Sequence, residues 1–261
     1  MKQLALRGKR GAGKTSTSMP GGRGVNQAQH DLDIVTLAPS SLDYKVKACP
    51  RCFYLDKKMK IKVDSFPPPV FSNFDIVQQN YFKNLNTNAL SSKLPSGRIM
   101  LKDDLPGRVV SEVLQDSKGR SYIIGGRPDI VIQFDDGSYG IIDFKTTQLN
   151  ADKAENYKFQ LEAYAQIFSH PGSIKKGPTP KLDPISHIGI LQFFPSEIFA
   201  HQEDSCHLNF AMSYVPLKRN IDEFYERIEH VLDILSLENP PDFNQDCKDC
   251  LFVQKQMTLS S

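Results

Sequence analysis

Two Cys-x-x-Cys pairs, Cys49/Cys52 and Cys247/Cys250, stand near opposite ends of the ordered part of this 261-residue chain. Each pair has chelating spacing, and together they point to a four-thiolate metal centre in an intracellular protein. Such a centre obliges the N- and C-terminal segments of the domain to meet, closing a very long loop. Tetrathiolate geometry suits both Zn2+ and a [4Fe–4S] cluster, and the spacing alone leaves both open. Cys206 has no neighbour of its kind and reads as a buried, small apolar residue.

The composition is that of an ordinary globular chain, 39% hydrophobic and 24% charged, with length for one generous domain or two small ones. No run approaches the ~18 apolar residues of a membrane span, and the N-terminus lacks the apolar core of a secretory signal. A cytoplasmic protein is expected, without membrane partners. The net charge of +2 hides an asymmetry: residues 1–62 carry 13 Lys/Arg against 4 Asp/Glu. A basic quarter of this kind either lies along a polyanion or is a solvated tail. Residues 1–38, rich in Gly, Lys, Arg, Ser and Thr, read as a flexible basic leader, and residues 39–257 as the folded domain.

Within that domain, Ser40 and Asp43 have the spacing of a helix N-cap and its partner, followed by Leu42, Val46 and Phe53 on a short amphipathic helix. Pro67-Pro68-Pro69 breaks the chain. A helix is predicted from Ser72 to about Leu85, with Phe74, Val77, Tyr81 and Phe82 on one side. Period-two alternation from Arg108 to Thr147, with turn signals at Ser117–Gly119 and Asp135–Gly137, predicts a meander of strands. A helix over 153–169, a linker over 170–184, strands at His187–Phe194 and Leu208–Val215, and a helix over Asn220–Leu237 complete a mixed α/β domain.

The chemistry concentrates in the meander. Asp143 and Lys145 are two apart in a strand and so share a face. If Phe134 and Ser138 close the loop at Asp135–Gly137, the same register sets Asp129 directly opposite Asp143 on that face. Two carboxylates and an ammonium converging there are costly without compensation. A hard divalent cation such as Mg2+ supplies it, using oxygen ligands, and it can activate water and clamp a phosphoryl oxygen. The plainer alternative is a strand pair carrying a surface Asp–Lys ion pair. Gln160 and Tyr164 follow at i,i+4 on the next helix, and Arg127, two before Asp129, can reach phosphate as a bidentate donor.

Gly126-x-x-Asp129, Asp143-x-Lys145 and Gln160-x-x-x-Tyr164, in this order, resemble the PD-(D/E)xK nuclease superfamily in its RecB-like branch. The run from Pro39 through Asp43, Cys49-Pro50-x-Cys52 to Tyr54 is similar to the opening of AddB-type and CRISPR-associated RecB-like exonucleases. The resemblance implies a restriction-endonuclease-like fold, a mixed central sheet flanked by helices, with a cysteine metal clip joining its N- and C-terminal segments. It implies a Mg2+- or Mn2+-dependent DNase of repair, recombination or defence, working near the nucleoid with DNA and with a helicase or similar partner. Asp129 and Asp143 would bind the metal, helped by the Phe144 carbonyl; Lys145 would be catalytic; Gln160 and Tyr164 would line the DNA channel. Iron–sulfur relatives use one N-terminal and three C-terminal cysteines; here the last is missing near Gln256, and Cys52 takes its place. Relatives also carry a His or Glu on the first core helix, where this chain offers only Asp75. A catalytically inactive DNA-binding module is therefore the second reading. Gly8–Thr15 fits a P-loop expression, but no buried strand precedes it and Pro20-Gly21-Gly22 stops any following helix, so a P-loop NTPase ranks last.

Overall fold

The computed structural model describes residues 34–259 apart from 44–45, 47, 62–68, 84, 101–103, 176 and 203. Residues 1–33, including the Gly8–Thr15 motif, lie outside the described residues. In chain order the elements are β1 (Val35–Leu37), a 3-10 turn (Pro39–Ser41), α1 (Pro50–Lys57), α2 (Pro69–Phe82), β2 (Gly97–Ile99), β3 (Val109–Val110), β4 (Leu114–Gln115), β5 (Ser121–Gly126), β6 (Ile130–Phe134) and β7 (Tyr139–Thr146). Then come α3 (Ala151–Ala154), α4 (Lys158–Ser169), β8 (Ser173–Ile174), β9 (Gly177–Pro178), β10 (Ile185–Gln202), β11 (Ser205–Leu217), α5 (Ile221–Ser236) and α6 (Lys248–Leu259). No helix among the described residues is long and apolar enough to cross a membrane.

The main sheet runs β11-β10-β7-β6-β2, with β7 and β10 parallel and the other pairs antiparallel. A smaller sheet gathers β1, β3 and β4 around β5, with β1 parallel to it. Thus Val35–Leu37, assigned from sequence to the leader, is a strand, and Leu37 is fully buried. Three residues are too few to show a period, and their partner Tyr122–Ile124 lies far along the chain.

Alternation along the strands gives the main sheet two apolar faces. One holds Val131, Ile141, Ile188 and Ile190 against Leu161 and Phe168 of α4 and Phe224, Ile228 and Val231 of α5. The other holds Ile132, Ile142, Phe144 and Phe193, packed by Phe82 of α2. Here the sequence reading of α2 needs correcting. Val77 and Tyr81 are 63% and 65% exposed, and the inward row is half-buried Phe74 with buried Gln78 and Phe82. Phe74 packs on Phe210 at 4.7 Å between ring centroids and Phe82 on Phe144 at 5.5 Å, so the aromatic side chains of the sheet choose the face. A helix apolar on two adjacent stripes does not announce which one it buries. Pro69 opens this helix rather than ending the preceding break, since a proline costs nothing in a first turn.

Other expectations hold more closely. Asn220 caps α5 by accepting from the Glu223 N–H. The loop over 170–184 contains the small β8–β9 hairpin. The two late strands are much longer than expected, because β10 and β11 continue past the sheet as a two-stranded ribbon. Cys206 lies on that ribbon and is exposed, which corrects its reading as a buried apolar residue.

Candidate functional site

The β6–β7 hairpin sets the site. The Phe134 N–H donates to the Ser138 carbonyl at 2.9 Å, and Gly137, at φ +86°, supplies the left-handed residue that a three-residue loop needs. The register that follows pairs Ile130 with Ile142 and Val131 with Ile141, so one step further sets Asp129 opposite Asp143. Both carboxylates and Lys145 share the α4 face with Val131 and Ile141. Asp129 Oδ2 accepts the Phe144 N–H at 2.8 Å. Asp143 is buried; its Oδ1 accepts from Gln160 Nε2 at 2.6 Å, and its Oδ2 faces the Lys145 ammonium as an ion pair outside hydrogen-bond geometry. That ammonium lies 4.7 Å from the ring centroid of Tyr157.

The electrostatics are those of a site short of positive charge. Burial, then the Asp143 charge, pushes the Asp129 carboxyl up to about 7, although the Phe144 N–H and Lys145 pull the other way. Burial also holds Asp143 above the usual carboxylate range, outweighing the lysine beside it. Burial works against the Lys145 ammonium, but Asp143 and then Asp129 more than offset it and hold its pKa above the ordinary lysine value. Asp75 of α2, exposed itself, adds negative potential at both carboxylates. Two converging hard oxygen donors with one ammonium between them, and a buried oxygen left without a directional donor, fit a divalent cation such as Mg2+ or Mn2+.

Helix α4 supplies the next layer. Its start is tied down by Asp43, whose carboxylate accepts the N–H groups of Phe159 at 3.3 Å and Gln160 at 2.6 Å. Asp43 therefore caps a helix more than a hundred residues away, and Ser40 stands inside the 3-10 turn Pro39–Ser41 rather than at an N-cap, which corrects the Ser40–Asp43 reading. Gln160 and Tyr164 are both buried: the first is spent on Asp143, and the second donates its hydroxyl to the Arg127 carbonyl at 2.7 Å. Gly126 allows that contact, since a Cβ there would sit 2.9 Å from Pro39 Cδ and 3.1 Å from Tyr164 Cε1. The Arg127 guanidinium is exposed and reaches Gln79 Oε1 at 3.4 Å.

Three supporting residues escaped the sequence reading. Tyr157 faces the lysine, as above. Gln192, in register with Lys145 on the parallel strand, is buried and bonds both ways to the Asn150 backbone, at 2.8 and 3.1 Å. Glu162 of α4, fully buried, accepts from Arg219 and from the Asn220 N–H. A glutamine inside an apolar strand and a glutamate on the most buried helix were the available signals.

The four cysteines come together as expected. Cys49 and Cys52 frame the start of α1, and Cys247 and Cys250 frame the start of α6; all four sulfurs lie within 4.8 Å of one another. The junction is held by protein contacts as well, with Tyr54 donating to the Leu237 and Glu238 carbonyls and Asn244 to the Ala48 carbonyl. Sulfur separations of 3.8, 3.6 and 3.4 Å exceed a disulfide bond and approach the edge of a tetrahedron with Zn–S of about 2.3 Å, roughly 3.8 Å. Burial pushes the Cys250 thiol up to about 11 and raises Cys52 further. Burial opposes the Cys49 thiolate too, but the N–H groups of Cys52 and Asn244 bring its pKa below the ordinary value. Crowded thiols, one with its pKa lowered, are the donor set a thiophilic metal takes.

Comparison with known proteins meets this geometry from another side. A family model for the PD-(D/E)XK nuclease superfamily matches residues 92–254. The CRISPR-associated exonuclease Cas4 of Saccharolobus solfataricus is 26% identical over 158 residues, which are 59% of this chain and 62% of that protein. The match thus spans less than two thirds of that relative. The crystal structure of SSO0001 aligns with 87% of this chain and 89% of its own, at 16% identity and a TM-score of 0.49.

Proposed function

Because the chain belongs to the PD-(D/E)XK nuclease superfamily, we propose that it is a Mg2+- or Mn2+-dependent DNase with Asp129, Asp143 and Lys145 at its centre. The observation that carries this reading is the opposition of two carboxylates on one sheet face, Asp143 buried and Asp129 half-buried, with the lysine beside them. Asp129 and Asp143 would hold the ion, with the Phe144 carbonyl, next to Asp143 on β7, as a further oxygen donor. A hard divalent ion bound there supplies Lewis-acid charge stabilisation and water activation. Lys145 keeps its ammonium beside the reacting phosphate, where it orients water and balances developing negative charge. Gln160 fixes the rotamer of Asp143, and Tyr164 fixes the Arg127–Asp129 backbone through the Arg127 carbonyl. Arg127, exposed at the rim, receives a substrate phosphate.

The cysteine centre holds a single Zn2+ in this reading. Sulfur separations of 3.8, 3.6 and 3.4 Å, near the edge of a zinc–thiolate tetrahedron, support it. Elemental analysis should find one zinc per chain, and a coloured protein containing iron and sulfide would overturn the assignment.

A DNA-repair, recombination or defence role, in the company of a helicase or similar protein, follows the family and the exonuclease name of its Cas4 relative. The deciding experiment is cleavage of end-labelled single- and double-stranded DNA with Mg2+ or Mn2+, wild type beside Lys145→Ala. Metal-dependent cleavage lost in the variant supports the assignment. Equal cleavage by both refutes it. The second reading, an inactive DNA-binding module, draws on Asp75 being the sole acid of α2; it requires DNA binding that persists in chelator with no cleavage in either protein.

A further inference from the structure

The main sheet ends differently on its two sides. At one end β2 has three residues, carries Arg98, and is met by a bridge from Asn86. This is a guarded edge, short, charged and covered. At the other end β11 offers thirteen residues without one Asp, Glu, Lys or Arg, and its single proline, Pro216, is next to last. Its partner strand is guarded even within the same ribbon. Past Phe193, where β7 stops, β10 carries Pro195, Glu197 and two register breaks, with the extra residues on β10, so β11 itself runs on unbroken. Among the described residues, no hydrogen bond joins the backbone of Asn209–Met212 to anything but β10. Leu208 and Met212 are 43% and 47% exposed, on the face where Phe210 packs against Phe74.

An open strand edge is satisfied by another strand, because only that supplies N–H and C=O groups at the matching spacing. A strand without charge suits its own copy, since a two-fold axis sets like residues near one another and would oppose like charges. We propose that this chain forms a two-fold dimer by antiparallel pairing of β11 with β11 of a second copy, centred on Phe210. In that register Leu208 of each copy lies opposite Met212 of the other, and the apolar faces remain on one side. In that register Ser205–Val215 pair, and eleven residues at about 3.4 Å make an edge of about 37 Å. Taken at a thickness of about 10 Å, it covers roughly 370 Å² per copy, under half a standard interface. The dimer is accordingly weak and concentration-dependent.

Sedimentation velocity of the full chain from about 1 to about 200 µM, the range suited to so small an interface, tests this. The wild type should pass from monomer to dimer across the range. Leu208→Lys with Met212→Lys should stay monomeric, and Leu208→Lys with Met212→Glu should recover the dimer through opposite charges. Circular dichroism should be the same for all three, the substitutions lying on exposed ribbon positions. A wild type that remains monomeric, as it would if another segment of the chain covers the edge, overturns the proposal. So does a double-lysine variant that dimerises as the wild type does. A monomeric charge-swapped variant overturns the two-fold at Phe210.

Discussion

Two buried carboxylates on the α4 side of the main sheet meet opposite fates. Glu162 receives a guanidinium fork, with Arg219 Nε and Nη2 at 3.2 and 3.1 Å from Oε2, and the Asn220 N–H at 3.0 Å on Oε1. Arg219 spends its remaining nitrogen on the Ile185 carbonyl, so the pair is closed on every side. Asp143 has one amide donor and one ammonium, and that ammonium also answers to Asp129. Gln160 and Glu162 are two apart on the same helix and therefore look in different directions. Equal burial thus marks two kinds of residue. Full compensation by the fold identifies a strut, and compensation left one cation short identifies a site.

Substitution should separate the two most sharply in activity. Asp143→Asn or Lys145→Ala should lower metal-dependent cleavage by about a thousandfold, as loss of a group acting at the reacting centre does. Neither should unfold the protein, and Asp143→Asn should not lower the melting temperature in chelator, because it removes a charge the fold does not fully compensate. At Glu162 the pattern should invert. Arg219→Ala leaves that carboxylate buried and unpaired and should cost roughly 3 kcal/mol, the low end for such pairs because Arg219 is 32% exposed. Thermal melts would show it, with cleavage per folded molecule retained. A large activity loss at Arg219 with no change in melting would break the comparison.

A smaller effect is expected from pH. A cation must displace the proton that Asp129 holds below about 7, so Mn2+ affinity should rise by up to about tenfold per pH unit toward 7 and then level off. For the metal-free protein the sign is opposite. A carboxyl raised in the fold favours stability below its unfolded value, near 4, and that contribution is lost as pH rises through about 7. Calorimetric Mn2+ titrations between these limits would expose a flat profile if Asp129 is not a ligand. The smallest effect belongs to Gly126→Ala, whose methyl would press on Pro39 and Tyr164 and should cost about 1–2 kcal/mol.

What could be read from the sequence was what is local or periodic. The Asp135–Gly137 turn fixed a register, and the register set Asp129 opposite Asp143 with no further information. The i,i+4 spacing of Gln160 and Tyr164 and the paired cysteines were legible for the same reason. What stayed hidden depended on partners far along the chain. Asp43 looked like a local cap alone because the helix residues it also holds lie 116 and 117 residues later. The pairing of β1 with β5, the Gln192–Asn150 clamp and the Arg219 fork have no period to betray them. Nor did α2 disclose which of two apolar stripes it buries, since that was settled by rings on β7, β10 and β11.

The sulfur of Cys49 lies 3.8 Å from that of Cys250, 201 residues later. Once the four thiolates share an ion, the described fold is mechanically a ring with its clasp at α1 and α6. Tension applied outside the clasp would load the β1–β5 pairing, because β1 precedes Cys49, and then run through the thiolate bonds and bypass the main sheet, which would carry load only after the clasp opened. A ring also has no privileged opening point. Cutting it at the exposed Lys118–Gly119 turn and joining it across the clasp would permute the chain while leaving the β6–β7 hairpin, and the site built on it, in one piece.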